Sequence, residues 1–195
     1  SITALENLYS TAERRALINH EKQTVVRISD FVGVFPAITG KIEMVYEGEQ
    51  EGPMRVAQNI LDKAIRNLFV QYFPNPTKVK KKKAQQEEKN IYNEVQKYFE
   101  QGNVVDLLTD APDLDYRNAL SDIKGLKELI LNYLSSNIDT SSLYTFMEFV
   151  LHGMAAYSLL SKSQLEQGNK FSDITSAMFN YGEEEVDDDL KDLFN

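Results

Sequence analysis

Residues 141–160 read SSLYTFMEFVLHGMAAYSLL, and their apolar positions recur at helical rather than strand spacing. Leu143, Phe146, Met147, Val150, Leu151, Met154 and Tyr157 reach nearly every side of a helix drawn through them. A helix that is apolar nearly all round is a buried one, so this segment is predicted to be the centre of the second half of the chain. No apolar run approaches the roughly 18 residues that a membrane-spanning helix needs.

Outward from that helix, the same period dominates. Leu5, Leu8, Ala12 and Ala16 recur at steps of three and four in residues 3–19, with Thr3 and Glu6 as a capping box. Thr24–Ile28 reads as a short β-like bridge or an extended linker. Ser29-Asp30 offers a cap for a helix carrying Phe31, Val34 and Phe35. Pro36 interrupts it, and Ile38, Ile42 and Val45 continue the stripe. Pro53 opens a long helix whose apolar face is predicted to be Val56, Ile60, Ala64, Leu68 and Tyr72. Ile91, Val95, Tyr98 and Phe99 mark another helix, stopped by Gly102. Shorter helices are expected over 104–109, 113–123 and 125–135, and a last one over Phe171–Phe179. No internal repeat and no strand pair stands out. The expected fold is therefore all-α, a helical bundle in two units with no significant sheet.

The expected units are residues 1–73 and 91–182. A Pro- and Lys-rich linker (74–90) joins them, and an acidic tail (183–195) follows. The linker contains KVKKKK at 78–83, five lysines with no interleaved aromatic, and reads as a solvated join rather than a nucleic-acid or lipid contact. The tail EEEVDDDLKDLFN holds seven carboxylates against one lysine, a net of −6 out of −9 for the chain. Such a balance is the opposite of a nucleic-acid binder's. Val186, Leu190, Leu193 and Phe194 fall on one face of a helix whose other side is carboxylate. Leu190, Leu193 and Phe194 are thus candidate partner contacts, on another chain or on another part of a longer protein, with a frayed end as the alternative. With no cysteine in the chain there are no disulfides or thiolate metal sites, which fits a reducing cytoplasm.

Catalytic signals are sparse. Gly40-Lys41 looks like the end of a phosphate loop, but G-x-x-x-x-G-K-[ST] needs glycine where Phe35 stands and a hydroxyl where Ile42 stands. Glu43, Glu47, Glu49 and Glu51 lack the alternation of a calcium loop and read as a solvated face. His20 lies in a polar turn. His152 lies inside the apolar helix, where a satisfied core histidine is expected. Neither has a Cys or Ser partner nearby in sequence. No catalytic, cofactor-binding or metal residue is nominated.

Residues 2–52 nonetheless carry a resemblance. The Ala-, Leu- and Arg-rich helix Ala4–Leu17, the turn into Val25-Val26-Arg27-Ile28-Ser29-Asp30 and the run PAITGKIEMVYEGEQEG at 36–52 resemble the end of the AAA+ module in bacterial ATPases of the MoxR and magnesium-chelatase subunit I type. EFVLHGMAAYSLLS at 148–161 is similar to the helical extension of that group. The resemblance implies a small helical lid, a ring oligomer, Mg-ATP in the parent protein and often a von Willebrand factor A-type partner. Neither of the Walker motifs nor a sensor residue is present here, and the family's lid arginine is expected ahead of Ser1. The chain is accordingly expected to be a non-catalytic C-terminal fragment that couples nucleotide-driven motion to neighbouring subunits or a client. It would bind neither nucleic acid nor membrane. A free-standing helical adaptor with no nucleotide link is the competing reading.

Overall fold

The computed structural model describes residues 2–41, 52–77, 91–134 and 138–175. Helix α1 spans Ile2–Ile18, and Thr3 of the expected capping box falls inside it. A 3-10 segment, Ile28–Val34, leads directly into α2, Phe35–Thr39. Pro36 sits in the first turn of α2, where its missing N–H has no helical partner to lose, so it helps start a helix rather than interrupt one. Gly33 lets the 3-10 segment press against α1. A Cβ there would lie 1.9 Å from Thr11 Oγ1.

Helix α3, Pro53–Tyr72, begins at the expected proline. Its buried row is Ala57, Ile65, Phe69 and, just past its end, Phe73, with Leu61 half-buried between them. The row expected to be buried lies one position behind it: Ile60, Ala64, Leu68 and Tyr72 are exposed. Two adjacent rows at four-residue steps are both apolar, so periodicity alone does not choose between them. Phe69 and Phe73, the bulkiest members, decide it, because large aromatics gain most from burial.

Helix α4 is Asn93–Glu100 and strand β1 is Val105–Leu108. Helices α5 (Asp113–Ser121), α6 (Leu126–Tyr133) and α7 (Thr140–Ala156) follow. The chain closes into a hairpin of β2 (Ser161–Leu165) and β3 (Gly168–Ser172). As expected, α7 is central: Met147 through Met154 are all buried. It stops sooner than its apolar content suggests. Ser158 turns to φ +54°, and the N–H of Leu159 reaches back to the carbonyl of Met154, closing the helix end.

The all-α expectation fails at the sheet. The strands pair antiparallel in the order β1-β3-β2, with Val105 opposite Phe171 and Ser161 opposite Ser172. Residues 105–108 form a strand within the expected 104–109 helix, and Phe171 lies in β3 instead of opening a helix. The reason lies in composition. SKSQL and GNKFS have no β-branched residue and little alternation, so long-range pairing supplies what local propensity does not. Gly168, at φ +143°, also permits the contact, since a Cβ there would lie 2.3 Å from the carbonyl oxygen of Leu107.

A single apolar cluster gathers Phe69 and Phe73 of the α3 end, Tyr92, Phe99, Leu126, Ile130, Phe149, Val150, Met154 and Phe171. Phe69 stacks on Phe73 at 5.3 Å and tilts against Phe149 at 5.9 Å. Phe69 also lies over Gly153, where a Cβ would be 2.1 Å from its ring. That close crossing fixes α3 against α7. Of the linker expected at 74–90, residues 78–90 lie outside the described residues, and the described residues on both sides of them contribute to this cluster. No helix among the described residues is long and apolar enough to cross a membrane.

Candidate functional site

Beneath the apolar cluster lies a polar one. Arg15 and Arg27, with Asp30 and Glu148, are each 1% exposed or less. Arg15 projects from the same face of α1 as Ala12 and Ala16, whose small side chains leave room for it. Its Nη2 donates to Asp30 Oδ2 at 2.8 Å and to the carbonyl of Val25 at 2.8 Å, its Nε to Asp30 Oδ1 at 3.3 Å, and its Nη1 to Thr24 at 3.1 Å. This fork holds the non-helical stretch before the 3-10 segment in one shape. Asp30 Oδ2 also accepts the backbone N–H of Arg27 at 2.8 Å.

Arg27 then turns toward the second half. Its guanidinium lies 4.0 Å from the centre of the Tyr116 ring, donates to the carbonyl of Ala111 at 2.9 Å and pairs with Asp113. Burial, then the neighbouring Arg15, lower its pKa, while Tyr116, Glu148 and Asp113 oppose this. Glu21 adds a parallel tie, accepting the N–H of Asp113 at the start of α5. On the surface, Arg14 grips Asp110 with two hydrogen bonds.

Glu148, from the middle of α7, completes the cluster. Its Oε2 accepts the backbone N–H of Ile28 at 2.8 Å and the Tyr116 hydroxyl at 3.0 Å, and its Oε1 accepts the N–H of Ser29 at 2.9 Å. These are amides at the opening of the 3-10 segment, where no helical acceptor exists, so the side chain serves as a cap supplied from another helix. Burial raises the Glu148 pKa, and the Ile28 N–H, the Tyr116 hydroxyl and the Ser29 N–H pull it back down. The Tyr116 hydroxyl is pushed far up by burial and by Glu148 and stays a donor.

One turn on, His152 is 4% exposed and neither ring nitrogen has a hydrogen-bond partner among the described residues. The expectation of a buried histidine holds; the expectation of a satisfied one does not. Burial, reinforced by Lys162, pulls its pKa to about 3, so the ring is neutral. It stands edge-on to Phe171 at 5.1 Å and lines a cleft of about 350 Å³ shared with Ser29, Val32, Leu61 and Asn169. Ser29, His152 and Glu148 superficially suggest a nucleophile, base and orienting acid. The geometry argues against it. His152 Nε2 is 3.9 Å from Glu148 Oε1, the carboxyl oxygens are engaged elsewhere, and a ring that stays neutral down to about pH 3 is a feeble base.

The other sequence candidates fall away from this cluster. His20 is an exposed turn residue at φ +55°. Gly40 caps α2, so the Gly-Lys pair ends a helix and cradles nothing. Glu43, Glu47, Glu49, Glu51, the lysine run and Leu190, Leu193 and Phe194 lie outside the described residues. Among the described residues no group of three or more His, Asp or Glu side chains is placed to hold a metal. Arg15, Arg27, Asp30, Tyr116 and Glu148 were not nominated as site residues by the sequence, Asp30 being expected only as a cap. One signal was present: a lone carboxylate at the middle of the most apolar helix must have a partner to be buried there.

Compared with protein-family models, with curated proteins and with solved structures, the chain finds no match.

Proposed function

We propose that this chain is a non-catalytic coupling module of a MoxR- or magnesium-chelatase-like AAA+ ATPase, working in the cytoplasm. In this reading residues 2–41 are the end of the ATPase lid and α7 belongs to the extension. The observation that supports it is the Glu148 carboxyl gripping the amides of Ile28 and Ser29. A lid tied at its turn to a distant buried helix moves with that helix as one piece, and packed interiors transmit displacement because they deform little. Exposed Ile2, Leu5 and Tyr9, at i, i+3 and i+7 on α1, fit a surface covered by the rest of such an ATPase. Nucleotide chemistry would belong to the parent and its Mg-ATP, since phosphate transfer needs amide cradles, a lysine and held magnesium.

The test begins with the sequence encoded ahead of Ser1. A Walker A loop followed by a Walker B acid pair is expected there. The longer protein is expected to hydrolyse ATP and assemble into a ring, measured by phosphate release and light scattering. The present chain alone is expected to show no saturable Mg-ATP site in the micromolar range by calorimetry at about 150 mM salt, where exposed charges are largely screened. An upstream sequence with no phosphate loop would overturn the proposal.

A further inference from the structure

The sheet has an open side. In the order β1-β3-β2, strand β1 is an edge. The N–H of Thr109 donates to the carbonyl of Gln167 at 3.1 Å, so these two residues are a hydrogen-bonded pair. Such pairs alternate along an antiparallel ladder, which turns the backbone groups of Leu107 toward β3 and those of Asp106 and Leu108 away from it. The Leu108 carbonyl accepts the N–H of Ala111 at 3.3 Å. The N–H and carbonyl of Asp106 and the N–H of Leu108 have no partner among the described residues. An edge of this kind is a template for another strand.

A groove of about 450 Å³ lies along that edge, between β1 and α5. Leu108, which is 45% exposed, contributes to its apolar lining together with Ala111, Pro112 and Ala119. Asp106 and Asp115 also line it, both exposed and neither in an ion pair with a described residue. The third carboxylate, Asp110, is held by Arg14. Lys170 faces Asp106 across the ladder without pairing with it. No cation is among the described residues that line the groove, so its charge is uncompensated from within.

We propose that this groove takes an extended cationic segment of a partner protein, which adds to β1 as a fourth strand, antiparallel to it. The inference stands on β1 and α5 and does not depend on the ATPase reading. A peptide held between an edge strand and a helix draws affinity from main-chain hydrogen bonds and selectivity from alternate side chains. Antiparallel pairing lets one partner residue exchange both hydrogen bonds with Asp106, while the carbonyl two residues earlier accepts the N–H of Leu108. Val105 and Leu107 turn their side chains into the core, so those of Asp106 and Leu108 lie on the outer face. The register therefore calls for Lys or Arg opposite Asp106 and an apolar residue opposite Leu108. The residue between those two turns toward α5, whose buried Tyr116 and Leu120 share the core with Leu107. There the small side chain of Ala119 leaves room for it.

The probe is a blocked synthetic peptide, acetyl-KTLVKTK-amide, titrated into the full ¹⁵N-labelled chain at about 150 mM salt, where exposed charges are largely screened. Its second lysine is placed to pair with Asp106 and its leucine with Leu108. Saturable shifts are expected at the amides of Asp106 and Leu108, with hydrogen exchange at both slowed about tenfold or more at saturation. N-methylation of the second lysine removes the bond donated to the Asp106 carbonyl and should weaken binding about tenfold. N-methylation of the valine, whose N–H points away from β1, should change it by less than about threefold. Asp106→Asn alters an exposed side chain, so the fold survives it, and it should weaken binding about threefold. Shifts confined to other regions, equal losses from the two methylations, or binding unchanged in Asp106→Asn would each overturn the proposal. So would slow exchange at Asp106 and Leu108 in the chain without peptide, which would show the edge already covered by this chain or by a second copy.

Discussion

Glu148 and Ile28 are 120 residues apart in the chain and meet through a 2.8 Å hydrogen bond, carboxyl to backbone amide. The same carboxyl holds the Ser29 amide and the Tyr116 hydroxyl, so three donors lose an acceptor together when it is removed. Each buried donor left unsatisfied costs about 1–3 kcal/mol. Glu148→Ala is expected to lower unfolding stability in urea by about 3 kcal/mol or more, and Glu148→Gln, which keeps one acceptor oxygen, by less. Amide exchange at Ile28 and Ser29 should accelerate in the Ala variant. Unchanged protection at those two amides would mean that the carboxyl does not hold them.

The Arg15–Asp30 fork makes a sharper comparison. Asp30→Ala leaves the Arg15 guanidinium, 1% exposed, without its counter-charge, a loss of about 3–5 kcal/mol. The double variant Arg15→Met, Asp30→Ala removes both charges and should recover part of that loss. Equal loss in single and double variants, measured by chemical denaturation, would show that the charge pair is not what holds this turn.

His152 sets a pH dependence whose sign follows from its burial. Its pKa is lowered from 6.5 to about 3 in the fold, so between those values the unfolded chain takes up a proton that the folded chain refuses. Stability from this group is therefore lost as pH falls below 6.5. Between pH 7 and pH 5 the loss is about 2 kcal/mol at 1.36 kcal/mol per unit. Glu148, with its pKa raised, acts in the opposite sense, binding its proton more readily when folded. His152→Leu leaves Glu148 in place, so the variant should lose less stability over that interval than the parent chain. Parallel pH profiles for the two proteins would contradict this.

Gly153→Ala tests the crossing of α3 and α7. Alanine gains roughly 1 kcal/mol of helix propensity over glycine. Its methyl group would meet the Phe69 ring at 2.1–2.4 Å, and overpacking of a filled core costs about 1–3 kcal/mol. A net destabilisation is expected in thermal melts, together with shifted Phe69 ring resonances. A higher melting temperature in the variant would be incompatible with the crossing described.

Long helices were legible in the sequence because their signals are local. Pro53 starts α3, Gly102 lies just past α4, and the apolar density of 141–160 marks α7. The side of α3 that faces inward was not legible, since two neighbouring rows are apolar and only the partner helix distinguishes them. Nor was the sheet. Lys162, Gln164, Asn169 and Lys170 carry no strand preference; β3 pairs with β2 on one side and with the distant Val105–Leu108 on the other, and that pairing makes them strands. The polar cluster was hidden for the same reason. Asp30 reads only as a helix cap, and nothing local marks Arg15 and Arg27 as buried until Glu148 and Tyr116 arrive from elsewhere to cover them.

The strand order has a consequence for synthesis. The strand that lies between the other two, β3, is the last of the three to be made. Val105–Leu108 leaves the ribosome about 60 residues ahead of its partner Gly168–Phe171, an interval of about 3–13 s at roughly 5–20 residues per second. During that interval Val105 and Leu107, buried in the finished protein, have no strand to pair with. A nascent chain stalled before residue 168 therefore holds Val105–Leu108 without the strand that pairs with it in the finished fold.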